Sequence, residues 1–393
     1  MRLYDELVWR GLVQDATEGL GDALERGPLT LYVGYDPTAS SLHAGNLQQI
    51  ITMRRFQLRG HRVVALAGGG TGLIGDPSGK STERALNDEA TVAEWAARIE
   101  AQIRRLLPDE TIFENNLNWL GAMTVIECLR DVGKHFPMGY MLAKESVKTR
   151  VHGEGMTFTE FSYMVLQAYD FQQLYDRYDC RLQMGGSDQW GNITAGLELL
   201  RRTGRDGAYG MTTPLLLRAD GQKFGKSEEG AVWLDPERTS PYAFFQFFLN
   251  TADDQVGMLL RRLSLLPREE IEALEAADPS TRTAQRALAE HLTAMVHGEE
   301  GLADALARTE AAFAGAAWRL EDVQTVPIGD WPQIFLRANL VSSLSEARRL
   351  IKGGGLYVDD ERLSEDAQPP QPDAERVFVL RKGKRERRAV RVV

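Results

Sequence analysis

Two short stretches of this 393-residue chain hold side chains suited to gripping phosphate: Leu42-His43-Ala44-Gly45-Asn46 and Lys223-Phe224-Gly225-Lys226-Ser227. The first follows a strand-like run closed by Asp36-Pro37-Thr38 and is expected to open a helix. There, backbone N–H groups without intrahelical partners and the positive end of the helix dipole attract an anion. Ser40 and Ser41 offer caps, His43 and Asn46 project from one face, and Gly45 would admit a ligand close to the backbone. The second stretch lies in a loop after Thr213-Pro214-Leu215-Leu216-Leu217, where Gly221, Gly225 and Gly230 would allow closure. Lysine there is a mobile point charge that can follow a departing phosphate. Either stretch alone fits an ordinary cap or a solvated loop as well; together they point to a nucleotide held from two sides.

A third set shares one predicted helix. Tyr163, Gln167 and Asp170 stand at i, i+4 and i+7 and line a single polar stripe, which suits a polar ligand.

The elements that must position these groups follow from periodicity. Residues 1–220 alternate strand-like runs, such as Leu29-Thr30-Leu31-Tyr32-Val33 and Val63-Val64-Ala65-Leu66-Ala67, with helical patterns. Such alternation predicts βαβ units and a Rossmann-like α/β domain with a parallel sheet. Residues 221–239 form the lysine loop and a linker. An all-helical region over 240–326 is expected to hold helices at 241–249, 253–263, 267–276 and 280–297, with another from Glu299. A small α+β unit is expected over 331–393, after the punctuated link Val326-Pro327-Ile328-Gly329-Asp330-Trp331-Pro332.

Composition restricts the partners. With 43% hydrophobic residues there is material for packed cores, and no apolar run approaches the roughly 20 residues that cross a bilayer. The acidic start Met1-Arg2-Leu3-Tyr4-Asp5-Glu6 does not read as a signal peptide, so a soluble cytoplasmic protein is expected. Cys128 and Cys180 lack CxxC spacing and are expected to be buried, and the six histidines form no HxH or HExxH, so no protein-built metal site is expected. Net charge is −10, yet from Trp331 onward 13 Lys or Arg stand against 9 Asp or Glu. A basic end on an acidic body points to a polyanionic partner for that end.

Two generic phosphate-loop patterns fail on inspection. Gly70-Thr71-Gly72-Leu73-Ile74-Gly75 follows a strand, but Asp76-Pro77-Ser78-Gly79 interrupts the helix that should begin there. The acidic residue expected about 20 residues on is represented only by Glu94, within a helical stretch. Gly79-Lys80-Ser81 imitates a Walker ending, but Ile74 occupies the position of the required glycine.

The pair of phosphate motifs resembles the signature pair of class I aminoacyl-tRNA synthetases, and the resemblance narrows to the bacterial-type tyrosyl-tRNA synthetases. Tyr32 to Thr38, Thr71 to Ser78, Phe158 to Tyr163, Gln167 to Asp170 and Gly185 to Asn192 look like family blocks in family order, and Ser345 to Val358 resembles an S4-type RNA-binding module. The resemblance implies that Tyr163 and Gln167 bind the ammonium end of tyrosine, while Tyr32 and Asp170 hydrogen-bond its phenol. Phenylalanine would strand that buried pair and be rejected. It further implies that Lys223, Lys226 and Ser227 hold the departing pyrophosphate, opposite His43, Asn46 and Thr38. Asp36, Asp76, Gln189 and Asp188 would orient the amine or ribose, with Gly34, Gly45 and Gly186 admitting ATP. Magnesium is expected to arrive with ATP. Arg348, Arg349, Lys352, Arg381, Lys382, Lys384 and Arg385 would track tRNA phosphates from a homodimer that one tRNA spans. Two positions depart from the commonest pattern: Asn46 replaces a second histidine, and Asp359-Asp360 stands where a hairpin often has Asn-Gly. A synthetase-like RNA binder without chemistry, and a tryptophan-activating relative, are the alternatives; the retained motifs argue against the first, Tyr32 with Asp170 against the second.

Overall fold

The computed structural model of the chain describes residues 1–78, 87–107, 110–144, 147–148, 155–217, 224–227, 230–314, 323–359, 361–364, 366–368, 370, 376–383 and 386–392. They divide into two compact units, Met1–Leu302 and Ala303–Val393.

The first unit is built on a sheet of β1 (Asp15–Ala16), β2 (Thr30–Tyr35), β3 (Arg62–Ala67), β4 (Ile112–Asn115), β5 (Cys180–Gly186) and β6 (Tyr209–Thr213), in the order β1-β6-β5-β2-β3-β4. The central pairings are parallel, as the alternating pattern predicts, and only the short edge strand β1 runs antiparallel. Strand β2 is buried at every position except Gly34, in keeping with a parallel sheet covered on both faces. Chain order runs from β2 outward to β4 on one side and through β5 to β6 on the other. The gap beyond the C-terminal ends of β2 and β5 is therefore the topological switch point, where open α/β sheets bind ligands.

Three helices flank that point. Leu47–Leu58 follows β2, Phe158–Tyr178 leads into β5, and Trp190–Arg202 follows it. The long Phe158 helix starts with a reciprocal cap: Thr157 accepts from Glu160 N–H while Glu160 reaches back. It ends at Asp179 in the left-handed region (φ 48°). Its apolar side, with Phe171 and Leu174, packs on Tyr32, Val64 and Leu66 of the sheet, so the polar stripe is held at the strand ends.

Helices at Pro241–Leu249, Asp253–Leu263 and Arg268–Ala276 agree with the sequence reading, and Thr283–Ala314 bends at Gly298 (φ 73°, ψ 177°), where the sequence suggested a break. The first of these belong to the same compact unit as the sheet. Arg10 donates to Arg261 O, Ser264 O and Leu266 O, and Arg55 to Arg261 O, Arg262 O and Ser264 O, closing the C-terminal carbonyls of the Asp253 helix. Burial holds the Arg55 guanidinium well below its ordinary pKa.

The second unit pairs β9 (Val323–Val326), β10 (Leu356–Val358), β11 (Glu361–Arg362), β12 (Val377–Lys382) and β13 (Glu386–Val392) with helices Trp331–Arg337 and Leu344–Gly353. Its core is Ile334, Phe335, Leu340, Leu356, Leu380, Val390 and Val392, all nearly inaccessible. Asp359 adopts the left-handed conformation expected of the β10–β11 turn (φ 50°). Of the cysteines, Cys180 is fully buried, but Cys128 is only half-buried, because it lies in a short helical segment on the surface.

Candidate functional site

The His43 turn is organised differently from the simple anion cradle its sequence suggests. A tight turn, Ala44–Asn46, precedes the helix Leu47–Leu58, and its cap is His43 rather than Ser40 or Ser41. His43 Nδ1 accepts the Gly45 N–H at 3.0 Å, and Asn46 Oδ1 accepts the His43 N–H at 3.0 Å. Ala44 N–H donates to Val232 O and Asn46 N–H to His43 O. All four backbone donors of the turn are thus occupied, and an anion must be met by side chains. The same bonds prepare those side chains: with Nδ1 as an acceptor, the neutral imidazole carries its proton on Nε2, a donor suited to a phosphate oxygen. Asn46, with Oδ1 engaged, keeps its NH₂ as donor. Gly45 is required for an internal reason, since a Cβ there would lie 2.8 Å from His43 Cε1 and 3.2 Å from Phe224 O. Thr38, just after β2, is exposed, and above Gly34 there is open space. Lys223 and the side chains of Lys226 and Ser227 lie outside the described residues; the Lys226–Ser227 backbone forms β7, paired with β8 (Gly230–Ala231).

Toward the interior the site becomes buried. Tyr32 is 1% exposed, and its hydroxyl has no hydrogen-bond partner among the described residues. Burial, then the neighbouring Asp170, push its pKa well above the ordinary range. Asp170 is 2% exposed and accepts Trp119 Nε1–H at 2.7 Å on one oxygen and Asn116 Nδ2–H at 3.0 Å on the other. Burial raises its pKa to about 7 although both donors oppose the rise. Asn116 also donates to Thr71 Oγ1, Thr71 donates to Asp36, and Asp36 accepts Tyr163 OH at 2.8 Å. One connected chain of polar groups therefore runs from the phenol end to Tyr163.

A second network joins the remaining expected residues. Gln167 donates to Gln189 Oε1, Gln189 donates to Asp76 Oδ2 at 2.7 Å, and Asn192 donates to Gln167, Gln189 and Ser78. Gly68 and Gly69, just before the run that imitates a dinucleotide loop, and Gly72 within it have a packing role: a Cβ at Gly68 would collide with the Asp36 carboxylate, one at Gly69 with the Asn115 amide, and one at Gly72 would lie 2.9 Å from Pro37 Cδ. A Cβ at Gly186 would crowd Asp188 Oδ1 at 2.7 Å. Asn116 and Trp119 are functional candidates that motif reading misses, while Thr71 and Asn192 stand at the ends of two family blocks without a role read for them. The signal that could have found the first two is their place just beyond the end of β4, where the sheet turns toward the site.

In the second unit, Arg348, Arg349 and Lys352 lie exposed on the helix Leu344–Gly353, as their spacing suggests. Arg381 stacks over Tyr357, 3.6 Å from the ring centroid. Lys382 on β12 pairs with Glu346 of the same helix at 3.2 Å. Lys384 and Arg385 lie outside the described residues. No helix among the described residues is long and apolar enough to cross a membrane, and no three His, Cys, Asp or Glu among them cluster as metal ligands.

Comparison with known proteins agrees with this geometry. Residues 24–314 match the family model described as tRNA synthetases class I (W and Y). The chain is 51% identical over 389 residues to the tyrosine–tRNA ligase of Bacillus caldotenax, covering 93% of each, and 47% identical to that of Roseiflexus castenholzii, covering 100% of this chain and 99% of the relative. The solved structure of a C-terminally truncated mitochondrial tyrosyl-tRNA synthetase from Aspergillus nidulans superposes with a TM-score of 0.71 at 30% identity, over 79% of this chain and 93% of that one. The chain therefore belongs to the class I tRNA synthetases of the tryptophan and tyrosine type, and within them to the tyrosine–tRNA ligases, enzymes that use ATP to join tyrosine to tRNA.

Proposed function

We propose that tyrosine lies across the gap between β2 and β5, phenol inward and carboxylate outward, with ATP over Gly34 and Gly186. The observation that carries this reading is the unpartnered Tyr32 hydroxyl beside Asp170. A substrate phenol placed between them accepts from Tyr32 and donates to the Asp170 carboxylate, satisfying a polar group whose isolation otherwise costs about 1–3 kcal/mol. The substrate ammonium is met by acceptors: the Tyr163 oxygen, whose own proton is given to Asp36, together with Asp76 and Gln167, steadied by Gln189.

One tyrosine carboxylate oxygen then bonds to the α-phosphorus of ATP as the bond to the pyrophosphate oxygen breaks, leaving tyrosyl-adenylate. The nucleophile is already an anion, so this step needs no general base; positioning and charge stabilisation suffice. His43 Nε2–H, the Asn46 amide and the Thr38 hydroxyl stabilise the departing phosphates from one side, and Lys223, Lys226 and Ser227 from the other. Asp188, with Asp36, is placed to orient the ribose or amine, and magnesium enters as the ATP complex. A ribose hydroxyl at the 3′ end of tRNA(Tyr) then takes the tyrosyl group and releases AMP. Arg348, Arg349, Lys352, Arg381, Lys382 and Lys384 hold tRNA phosphates.

The enzyme is proposed to work as a cytoplasmic homodimer. Val125, Ile126, Leu129, Met138, Leu142 and Phe158 are exposed large apolar residues within one stretch, around a cluster that includes Val132, Phe136 and Met164. Apolar exposure of that kind marks an interface. Tyrosine-dependent ATP–pyrophosphate exchange by the purified chain tests the site reading: exchange lost on changing His43 or Asp170 supports it, and exchange indifferent to both refutes it.

A further inference from the structure

We propose that Trp233 and Arg238 are positioning residues for His43. The inference rests on the reading of His43 as a phosphate contact, and it assigns a task to the segment that follows the lysine loop. Val232, Trp233 and Leu234 run antiparallel to Leu42, His43 and Ala44: Ala44 N–H donates to Val232 O at 2.8 Å and Leu234 N–H to Leu42 O at 2.9 Å. Those two bonds flank the directly opposed pair His43 and Trp233, which places their side chains on one face at the closer of the two antiparallel spacings. The rings meet edge to face, centroids 6.3 Å apart at 63°.

Trp233 is itself fixed from its other partners. The Arg238 guanidinium lies 3.5 Å from the indole centroid and donates to Ser40 Oγ, and Trp233 N–H donates to Thr239 Oγ1 at 3.0 Å. Asp235 N–H donates to Ser41 Oγ, so the residues leading into His43's turn are tied to the same segment. The imidazole is thus constrained in two ways: Gly45 N–H fixes its tautomer at Nδ1, and the ring contact with the indole limits the plane of the ring, which together aim Nε2–H.

The strut also registers the lysine loop. Val232 N–H donates to Gly225 O at 2.7 Å, and Phe224 N–H to Leu216 O. On the opposite root, Gln48 and Gln49, on the helix that begins after Asn46, both donate to Thr213 Oγ1. Each end of the loop is fastened to the element carrying His43 and Asn46.

The test is pyrophosphate exchange and its double-mutant cycle. Trp233→Leu is expected to lower kcat by about tenfold, as slight misplacement of a catalytic group does, with the KM for tyrosine unchanged and activity restored by Trp233→Phe. In the His43→Ala background, Trp233→Leu should have no further effect on kcat, which a merely structural role would not produce. Equal losses in both backgrounds, or no loss in the first, overturn the proposal while leaving the His43 reading intact. If His43→Ala itself leaves exchange unchanged, the underlying site reading has failed instead. Should Trp233→Leu not fold, Arg238→Met on the exposed side of the indole carries the same cycle, with a smaller loss of kcat expected and additivity again overturning the idea.

Discussion

At the phenol end of the cleft, Tyr32, Asp170, Asn116 and Trp119 are each at least nine-tenths buried, and all but Tyr32 stand within a polar chain that reaches Asp36 and Tyr163, whereas at the phosphate end Thr38, His43 and Asn46 are half-buried or exposed, and His43 and Asn46 are fastened through their own backbone. The contrast separates two tasks. Recognition needs groups that are costly to leave unpaired, and only burial makes them so. Transfer needs donors that meet a charge as it develops and release it afterwards, which favours accessible groups held in place by short local bonds.

The comparison breaks most directly at His43. If the phosphate end acts only in the transition state, His43→Ala lowers kcat for exchange by about a hundredfold or more and leaves the KM for tyrosine unchanged; a rise in that KM would merge the two ends. Asp170→Ala has the opposite signature, stranding Trp119 and Asn116 and weakening tyrosine binding by on the order of a hundredfold, as read by equilibrium dialysis. Trp119→Phe removes one of two donors to Asp170 and is expected to raise the KM for tyrosine about tenfold, with kcat little changed.

Titration sharpens the same contrast. Burial raises Asp170 to about 7 in the folded chain, above the ordinary carboxylate range of the unfolded one. Between those two values the folded state holds a proton that the unfolded state lacks, so this group's contribution to stability declines as pH rises through the window and levels off above about 7. Urea titrations of the chain and of Asp170→Asn at several pH values should show that slope in the first only. The smallest effect is expected in the second unit: Arg348→Ala should weaken tRNA binding and reduce the salt dependence of log K by about one contact, leaving pyrophosphate exchange unchanged.

Much of this was legible before any coordinates. Strand and helix patterns up to residue 220 predicted the parallel sheet, and the helix stops at Gly298 and near Pro267 were marked by punctuation that backbone geometry enforces. The stripe of Tyr163, Gln167 and Asp170 followed from helical spacing alone. What stayed hidden depends on chain segments meeting at a distance. Asn116 and Trp119 lie 54 and 51 residues from Asp170 in sequence, in a stretch without a motif. The occupation of every backbone donor in the His43 turn could not be anticipated either, because one of its partners, Val232, comes from beyond the lysine loop. Lys382 shows the same limit, since its ion pair with Glu346, on a helix distant in sequence, leaves no mark in the spacing of the basic strand.

The central claim is that the Tyr32 hydroxyl is kept unpaired for the substrate phenol. It is tested by comparing kcat/KM for tyrosine and for phenylalanine in pyrophosphate exchange, in the parent chain and in Tyr32→Phe. The account predicts that the preference for tyrosine falls by roughly tenfold, through a loss on tyrosine and no loss on phenylalanine. An unchanged preference, or an equal loss on both amino acids, would contradict it.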